Sequence, residues 1–162
     1  MADLVRTAPG RMARRAAQSG GTTREFLAFV LASDLYAIEL RKIREILSPP
    51  PLTPVPRADA DVLGVCSVRG LLVTVFDIRR RLRLEEHAPT RRSRILLANT
   101  ATGEVVGLFV DEVRQVMRLG EAEIEGAQSV MGGELSEHVL GVGRPAGGGF
   151  VVLLDLETVV RR

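Results

Sequence analysis

The side chains of this chain that could carry out catalysis are few. Asp77 and Asp155 could form a carboxylate pair for general acid and base chemistry. Each aspartate, however, directly follows an apolar segment of the same pattern in its own half of the sequence. This repeated position favours two strand-end or helix-capping residues over a catalytic pair, so we expect the two carboxylates to lie apart.

The histidines, the cysteine and the glycine cluster give no catalytic, metal-binding or phosphate-binding pattern. No Ser or Cys nucleophile pattern lies near His87 or His138, and one cysteine with two widely separated histidines cannot supply a zinc site. Cys66 lies in an apolar segment without a disulfide partner, which favours a small buried residue over a reactive thiol. The glycines at 147–149 lack the Lys-Ser/Thr of a phosphate-binding loop. We therefore predict no enzymatic activity, no cofactor and no metal.

The composition is typical of one soluble domain. Hydrophobic residues make up 46% of the 162 residues, yet no apolar run reaches the roughly 18 residues of a membrane span. We expect a cytoplasmic protein without membrane insertion. Aromatic residues make up only 4%, which leaves few side chains to stack on bases, and no zinc or helix-turn-helix motif occurs. These features argue against a nucleic-acid partner.

The positive charge is concentrated at the N-terminus. Residues 1–24 contain five arginines and a single acidic residue, Asp3, so the rest of the chain is slightly acidic despite the overall net charge of +2. This tail could contact an anionic surface or be a solvated, flexible extension. Its content of small and charged residues favours the extension.

The sequence of the remaining chain contains an internal repeat. A segment running from Tyr36 to Ile46 reappears in register as Val106 to Val116. Two shorter segments that follow each copy also match: Val62-Leu63-Gly64-Val65 with Val139-Leu140-Gly141-Val142, and Thr74-Val75-Phe76-Asp77-Ile78 with Val152-Leu153-Leu154-Asp155-Leu156. Two related halves packed together form a groove, and such grooves are common binding sites.

The pattern of apolar residues and turn residues predicts a mainly β protein. We expect strands at residues 25–31, 35–38, 71–78, 94–98, 105–110 and 150–156, with turns at 33–34, 69–70, 99–103 and 147–149. Residues 39–47 are predicted to be helical or irregular, because Leu40, Ile43 and Leu47 share one helical face. Many short strands in two halves favour two small β-barrels over a parallel βαβ sheet. The barrels are placed at 25–83 and 93–160, with exchange of strands between them allowed and a linker at 84–92.

Nine short motifs, in this order, resemble one known family. They are Glu25-Phe26-Leu27-Ala28-Phe29, Tyr36-Ala37-Ile38, Ile43-Arg44-Glu45-Ile46, Val62-Leu63-Gly64-Val65, Val68-Arg69-Gly70, Phe76-Asp77-Ile78-Arg79, Val106-Gly107-Leu108-Phe109-Val110-Asp111-Glu112-Val113, Leu140-Gly141-Val142 and Leu153-Leu154-Asp155-Leu156. The chain is similar over residues 25–160 to the CheW family of chemotaxis coupling proteins. Ser67 stands where the family commonly has Asn, and Thr74 where a strand proline is frequent.

The resemblance implies both a fold and a function. The implied fold has two SH3-like, five-stranded β-barrel subdomains with short helices. The implied function is that of a non-enzymatic adaptor in cytoplasmic signalling arrays. It would bind the cytoplasmic hairpin of methyl-accepting chemotaxis receptors and the regulatory domain of a CheA-type histidine kinase. The alternatives are a regulatory CheW-like domain of a larger kinase or receiver-containing coupling protein, and a small ligand-binding or enzymatic β-barrel protein.

The resemblance also implies which residues bind the receptor. They are Ile43, Glu45, Gly64 and Arg69 in the first barrel and Val116 in the second. Each of the four positions in the first barrel has an alternative interpretation. Arg69 could be a solvated turn residue, Glu45 a solvated helix residue that offsets Arg41 or Arg44, and Ile43 part of the core. Gly64 could instead permit close strand approach or a bulge, which its repeat equivalent Gly141 favours.

Overall fold

The computed structural model describes residues 22–127 and 137–161, which form eleven strands and two short α-helices. The strands are β1 Arg24–Leu31, β2 Asp34–Glu39, β3 Ile43–Leu47, β4 Val62–Val68, β5 Leu71–Asp77, β6 Arg94–Asn99, β7 Val105–Val110, β8 Glu112–Leu119, β9 Ile124–Gly126, β10 Val139–Gly143 and β11 Val151–Leu154. The α-helices are α1 Ile78–Arg81 and α2 Leu156–Val159, and 3-10 helices occupy Leu40–Lys42 and Glu121–Glu123. Most of the predicted basic tail, residues 1–21, lies outside the described residues.

The strands form two mixed sheets. The six-stranded sheet has the order β8-β1-β2-β11-β10-β9, and the five-stranded sheet has the order β3-β6-β7-β5-β4. The mainly β prediction is therefore confirmed, and β3, β4, β8, β9 and β10 are strands beyond the six predicted ranges. Each sheet takes strands from both predicted barrel ranges, which is the exchange that the prediction allowed. The boundaries at 83 and 93 stay a prediction.

The exchange of strands follows the internal repeat. In the six-stranded sheet, β11 pairs in parallel with β2, with Val152 opposite Tyr36. In the five-stranded sheet, β5 pairs in parallel with β7, with Thr74 opposite Val106. The repeat places Tyr36 over Val106 and Thr74 over Val152, so the two pairings are equivalent. Each half of the chain thus completes the sheet that the other half begins.

Within residues 22–127 and 137–161, the core contains three apolar clusters. One draws only on the six-stranded sheet and includes Phe26 and Ala28, and one draws mainly on the five-stranded sheet and includes Val73. The largest cluster combines residues of both sheets, including Leu27 and Phe29. Successive residues of β1 therefore alternate between a barrel interior and a shared core between the barrels, because side chains on a strand alternate in direction.

Two predicted segments differ from the structure in position or type. Residues 39–47 are not mainly helical, because Ile43–Leu47 forms β3 and only Leu40–Lys42 is a 3-10 helix. Tertiary pairing of β3 with β6 overrides the local helical pattern. The first predicted turn lies at Ala32 and Ser33, both with positive φ, rather than at residues 33–34.

Other strand limits also shift. Leu71 and Leu72 are 42% and 70% exposed, so β5 is buried on both faces only after them. The strand observed in the predicted range 150–156 is shorter than predicted: β11 is Val151–Leu154, and Phe150, which precedes it, is 63% exposed. Strand β8 was not among the predicted strands, because its first half is polar. It lies at a sheet edge, and much of its surface is exposed.

The two aspartates cap separate helices, as the sequence predicts. Asp77 precedes α1, and its carboxylate accepts a hydrogen bond of 3.0 Å from the Arg79 backbone N–H. Asp155 precedes α2 and accepts one of 3.1 Å from the Glu157 backbone N–H. Each carboxylate thus satisfies a donor at a helix N-terminus, which is a structural role.

Candidate functional site

Three of the five predicted binding residues lie along the two edges of the five-stranded sheet. Ile43 and Glu45 lie on β3, and Gly64 lies on β4. Arg69 is in the turn that follows β4, and Val116 lies on β8 of the other sheet. Strands β3 and β4 are at opposite edges of the sheet order, so a contact between Glu45 and Arg69 requires the sheet to curve until its edges meet.

Arg69 and Glu45 make that contact through a two-point ion pair. Arg69 Nη1 donates to Glu45 Oε1 at 2.7 Å, and Nη2 donates to Oε2. The side chains are 70% and 29% exposed, respectively. The hydrogen bonds from Arg69 lower the pKa of the Glu45 carboxyl, and Glu45 raises the pKa of the guanidinium. The planar fork of arginine suits this geometry, which an ammonium group cannot reproduce.

The backbone at Arg69 has an unusual conformation. Arg69 has a φ of +49° and Gly70 a φ of +83°, as in the tight hairpin turns that need two left-handed residues. A residue with a Cβ adopts this region only at a steric cost. Glycine would be less strained than arginine at this turn position. The arginine side chain that stands there instead points toward Glu45.

The structure decides between the alternatives for Glu45 and Ile43. Glu45 is a strand residue that pairs with Arg69, and Arg41 pairs instead with Glu39 at 3.1 Å, so the helix and the contact with Arg41 are wrong. The charge of Arg44 contributes, after the hydrogen bond from Arg69, to lowering the pKa of the Glu45 carboxyl. Ile43 is half-buried and packs against the shared core, which confirms the core interpretation. The receptor-binding role of these residues stays a prediction.

Gly64 and Gly141 meet the same backbone requirement. A Cβ at Gly64 would lie 2.7 Å from the Thr53 carbonyl oxygen, and one at Gly141 would collide with the Glu125 carbonyl oxygen. Both glycines follow a register shift in their strand pair. The expectation of close strand approach is confirmed. This backbone requirement explains why glycine occupies position 64 without invoking contact with a binding partner.

An exposed apolar residue beside Glu45 was not among the predicted site residues. Ile46 on β3 is 44% exposed, and its repeat equivalent Val116 on β8 is 49% exposed. Ile46 pairs with Leu96 and Val116 with Leu27, again in equivalent positions. The repeat register that relates Ile46 to Val116 is the signal in the sequence that could have identified Ile46.

A buried ionic network lies outside these surfaces. The Arg79 side chain is 5% exposed and bonds to Asp77 at 2.9 Å, to Asp111 at 2.8 Å and to the His87 carbonyl oxygen at 3.1 Å. Asp111 also accepts a hydrogen bond from the Ala32 backbone N–H. The network joins α1, the linker and the corner between β7 and β8, so its role is structural.

The described part of the chain offers little for other chemistry. Within residues 22–127 and 137–161, no group of three His, Cys, Asp or Glu side chains could hold a metal ion. In the same residues, no helix has the length and apolar character needed to cross a membrane. Cys66 is buried, and burial raises the pKa of its thiol, which opposes nucleophilic reactivity.

Comparison with known proteins identifies the family. A model of the CheW-like domain matches residues 25–162. The chain therefore belongs to the CheW-like family. It is 34% identical over 102 residues to chemotaxis protein CheW of Rhizobium meliloti, covering 63% of this chain and 65% of that protein. The match thus spans slightly less than two thirds of the Rhizobium protein.

A second relative and a solved structure cover more of the chain. Chemotaxis protein CheW of Klebsiella aerogenes is 26% identical over 136 residues, which are 84% of this chain and 81% of the relative. The crystal structure of scaffolding protein TtCheW from Thermoanaerobacter tengcongensis superposes with a TM-score of 0.79 at 22% identity, covering 87% of this chain and 94% of that one. This likeness in fold confirms the prediction of two SH3-like barrel subdomains.

Proposed function

We propose that this protein is a non-enzymatic scaffold that couples methyl-accepting chemotaxis receptors to a CheA-type histidine kinase. The observation that carries the proposal is the CheW-like match over residues 25–162, and the surface around Glu45 and Arg69, two of the residues implied for receptor binding, supports it. That surface, here called the β3 edge surface, consists of Glu45, Ile46 and Arg69. Its exposed apolar side chain, Ile46, and its charged pair lie on opposite faces of the β3 edge, because successive side chains of a strand alternate in direction.

The β3 edge surface suits a helical partner. Ile46 can pack against an apolar ridge of a receptor hairpin, because its side chain is about half exposed and lies at a sheet edge. Arg69 has five N–H groups, of which two bond to Glu45, so the exposed guanidinium has further donors for a partner carbonyl or carboxylate. Glu45 fixes the direction of that guanidinium before binding, which reduces the entropy cost of the contact.

The second barrel would provide a separate interface. Val116 is about as exposed as its repeat equivalent, Ile46. The residue before Val116 is Gln115, the repeat equivalent of Glu45, and its neutral side chain lacks the charge needed for an ion pair. A partner can therefore distinguish the two edges by charge. We assign Val116 to a supporting receptor contact, and we assign other surfaces of the two barrels to the kinase regulatory domain.

The shared core between the barrels suggests how coupling works. It includes Leu27 and Phe29 of one sheet and Leu96 and Leu108 of the other, all fully or nearly fully buried. Such a close-packed core holds the two barrels at one relative orientation. A receptor and a kinase bound to separate faces would then be kept at fixed geometry, so a change in one biases the other through differential contacts. The site of action would be the cytoplasmic receptor array.

Formation of a ternary complex tests the proposal. The full chain, a receptor cytoplasmic hairpin and a CheA-type regulatory domain should elute together, with a mass that light scattering assigns to a complex of all three. Ile46→Asp should weaken hairpin binding at least about tenfold, because a carboxylate would be desolvated against the apolar ridge. Leu140→Asp is the matched control, because Leu140 is 39% exposed on β10, away from this surface.

Two results would contradict the proposed function. The first is a chain that binds neither partner although its thermal melt is cooperative. The second is phosphate transferred to the chain when it is incubated with ATP and the kinase, since a pure scaffold takes no part in phosphotransfer.

A further inference from the structure

The segment that contains β3 carries an excess of positive charge. Residues 39–47 contain three basic and two acidic side chains, which are Arg41, Lys42 and Arg44, and Glu39 and Glu45. The chain after residue 24 is slightly acidic as a whole, so this excess is local to the segment. A local charge of one sign at a surface attracts partners of the opposite sign.

The equivalent segment of the second half has the opposite charge. The repeat aligns residues 39–47 with residues 109–117, where two acidic side chains stand against one basic side chain. These are Asp111, Glu112 and Arg114. The exposed apolar residue is present in both segments, as Ile46 and as Val116. The two edges therefore share an apolar residue and differ in the sign of their charge.

Both edge strands have a β-bulge at an arginine. On β3, the register with β6 shifts between Ile43 and Glu45, so Arg44 is the extra residue. On β8, the register with β1 shifts in the interval that contains Arg114. A bulge changes the direction of a side chain, and bulges are frequent at sheet edges and beside functional sites.

The two bulge arginines differ in their ion pairs. Arg114 Nε lies 2.7 Å from Glu112 Oε2, so the charge of this guanidinium is balanced within its own edge. Glu45, the neighbour of Arg44, accepts hydrogen bonds from both terminal nitrogens of Arg69. In the part of the chain that the structure describes, the exposed Arg44 side chain makes no hydrogen bond or ion pair. Arg44 therefore has its guanidinium donors available for a partner.

The other cations around β3 are paired, but they share their carboxylates. Arg24 and Arg41 both pair with Glu39, at 3.2 and 3.1 Å. Lys42 lies 3.7 Å from Glu157 of α2. Together with the two arginines next to Glu45, four arginines at this edge are thus balanced by two carboxylates. The surplus favours an anionic group on the partner.

An exposed guanidinium and an exposed apolar side chain lie close together on β3. Arg44 and Ile46 are both exposed, with the half-buried Glu45 between them. We propose that Arg44 determines specificity by selecting a helical partner that carries a carboxylate beside the apolar ridge that packs on Ile46. This inference rests on the scaffold function proposed above and adds the charge of the hairpin that the chain recognises. Such a partner is attracted less to β8, where Glu112 already balances Arg114.

The test measures the association rate of the receptor hairpin with the full chain at low and at high salt. At low salt, Arg44→Gln should slow association about threefold and Arg44→Glu at least about tenfold, because a charge at the rim of an interface acts mainly on the encounter. At about 1 M salt, where charges are screened beyond about 3 Å, the three chains should associate at equal rates.

A matched control separates Arg44 from a general effect of net charge. Arg114→Gln removes the same charge at the equivalent bulge. It should keep the wild-type association rate, because Glu112 already balances that guanidinium. Thermal melts of both glutamine variants should stay close to that of wild type, since substitutions of exposed side chains have small effects on stability.

Two designed helical peptides test the sign of the charge without a receptor. Both peptides carry the same apolar ridge, and the residues beside the ridge are Glu in one peptide and Gln in the other. At low salt, the wild-type chain should bind the Glu peptide at least about threefold more tightly than the Gln peptide. Arg44→Gln should abolish this preference, and Arg114→Gln should retain it.

The outcomes separate this inference from the proposed function. Equal low-salt association of wild type and Arg44→Gln with a hairpin that binds would overturn the role of Arg44 and leave the scaffold function standing. An Arg44-dependent preference for the Glu peptide, without binding of the hairpin, would support the role of Arg44 and contradict the receptor as partner. Absence of binding to the hairpin and to both peptides would overturn both proposals.

Two further results would replace the helical partner by another occupant. Binding to anionic phospholipid vesicles that is lost in Arg44→Gln, with no preference for the Glu peptide, would assign the edge to a lipid surface. Self-association of the chain that is lost in the same variant would assign it to a second copy. Either result would overturn the inference.

Discussion

Arg69 and Glu45 join the two edges of the five-stranded sheet through a bidentate ion pair. Both residues were predicted to face a receptor, and in the unbound chain they bind each other. The pair explains why an arginine occupies a left-handed turn position with a φ of +49°. It also means that a partner meets a guanidinium whose direction is already fixed.

The first prediction concerns Arg69 and its pair. Arg69→Ala should weaken receptor-hairpin binding by roughly tenfold to a hundredfold, because a charge-assisted hydrogen bond to the partner is lost together with the fixed geometry. Arg69→Lys should recover only part of the affinity, because an ammonium group cannot form the two-point contact. Titration of a fluorescent hairpin measures both effects.

The charge-reversed double variant is the control for this prediction. Glu45→Arg combined with Arg69→Glu can restore an ion pair across the edges but reverses the group offered at the turn. We expect a stable fold with weak hairpin binding. Full recovery of affinity in the double variant would assign Arg69 a purely structural role, and unchanged affinity in folded Arg69→Ala would place the receptor site elsewhere.

The second prediction compares two equivalent glycines. Gly64→Ala and Gly141→Ala should each lower the unfolding free energy by at least about 2 kcal/mol, because the new Cβ would collide with a backbone carbonyl that cannot move easily. The expected decrease in melting temperature is about 4 to 8 °C. Gly147→Ala is the control, since nothing lies within 4 Å of its Cβ position. Equal melting temperatures for all three variants would show that the strands can separate to admit a methyl group.

The repeat made much of this fold predictable from the sequence. The apolar runs of β1, β5 and β7 carry strong strand signals, and the equivalent positions of Asp77 and Asp155 predicted their capping roles. Residues 39–47 were misassigned, because Leu40, Ile43 and Leu47 fit a helical period as well as they fit the observed strand. Only the distant partner β6 decides between them.

The pairing of the site residues was not predictable in the same way. Glu45 and Arg69 are 24 residues apart, and their contact depends on the curvature that brings β3 to β4. Local sequence offers Arg41 and Arg44 as nearer partners for Glu45. Likewise, the exposure of Ile46 follows from its place on an edge strand, which the residue type alone would have assigned to the core.

The third prediction follows from the exchange of strands. Chains cut within the linker at residue 87 should not give two independently folded halves, because β1 and β2 pair with β8 and β11 of the second half. Each fragment alone should lack a cooperative thermal transition, and mixing the two should restore it. Circular dichroism melts of each fragment and of the mixture measure this. A cooperative transition in either isolated fragment would mean that one half can form a barrel without the other.

The fourth prediction uses the two capping aspartates as a matched pair. Asp155→Ala removes a cap from α2 and should cost about 1 kcal/mol of unfolding free energy. Asp77→Ala removes the same cap from α1 and also leaves the buried Arg79 guanidinium without its main partner. Breaking one side of a buried ion pair costs about 3 to 5 kcal/mol, so the second variant should be far less stable than the first.

Chemical denaturation of both variants measures the difference in unfolding free energy, provided that the dependence of this free energy on denaturant concentration is the same in both. Asp111→Asn refines the comparison, because Asp111 is the second partner of Arg79 and is 20% exposed, so its loss should cost less than that of the fully buried Asp77. The expected order of stability is Asp155→Ala, then Asp111→Asn, then Asp77→Ala as the least stable. Equal losses for the two capping variants would show that the Arg79 charge is compensated after Asp77 is removed, either by Asp111 or by water that enters the corner between β7 and β8.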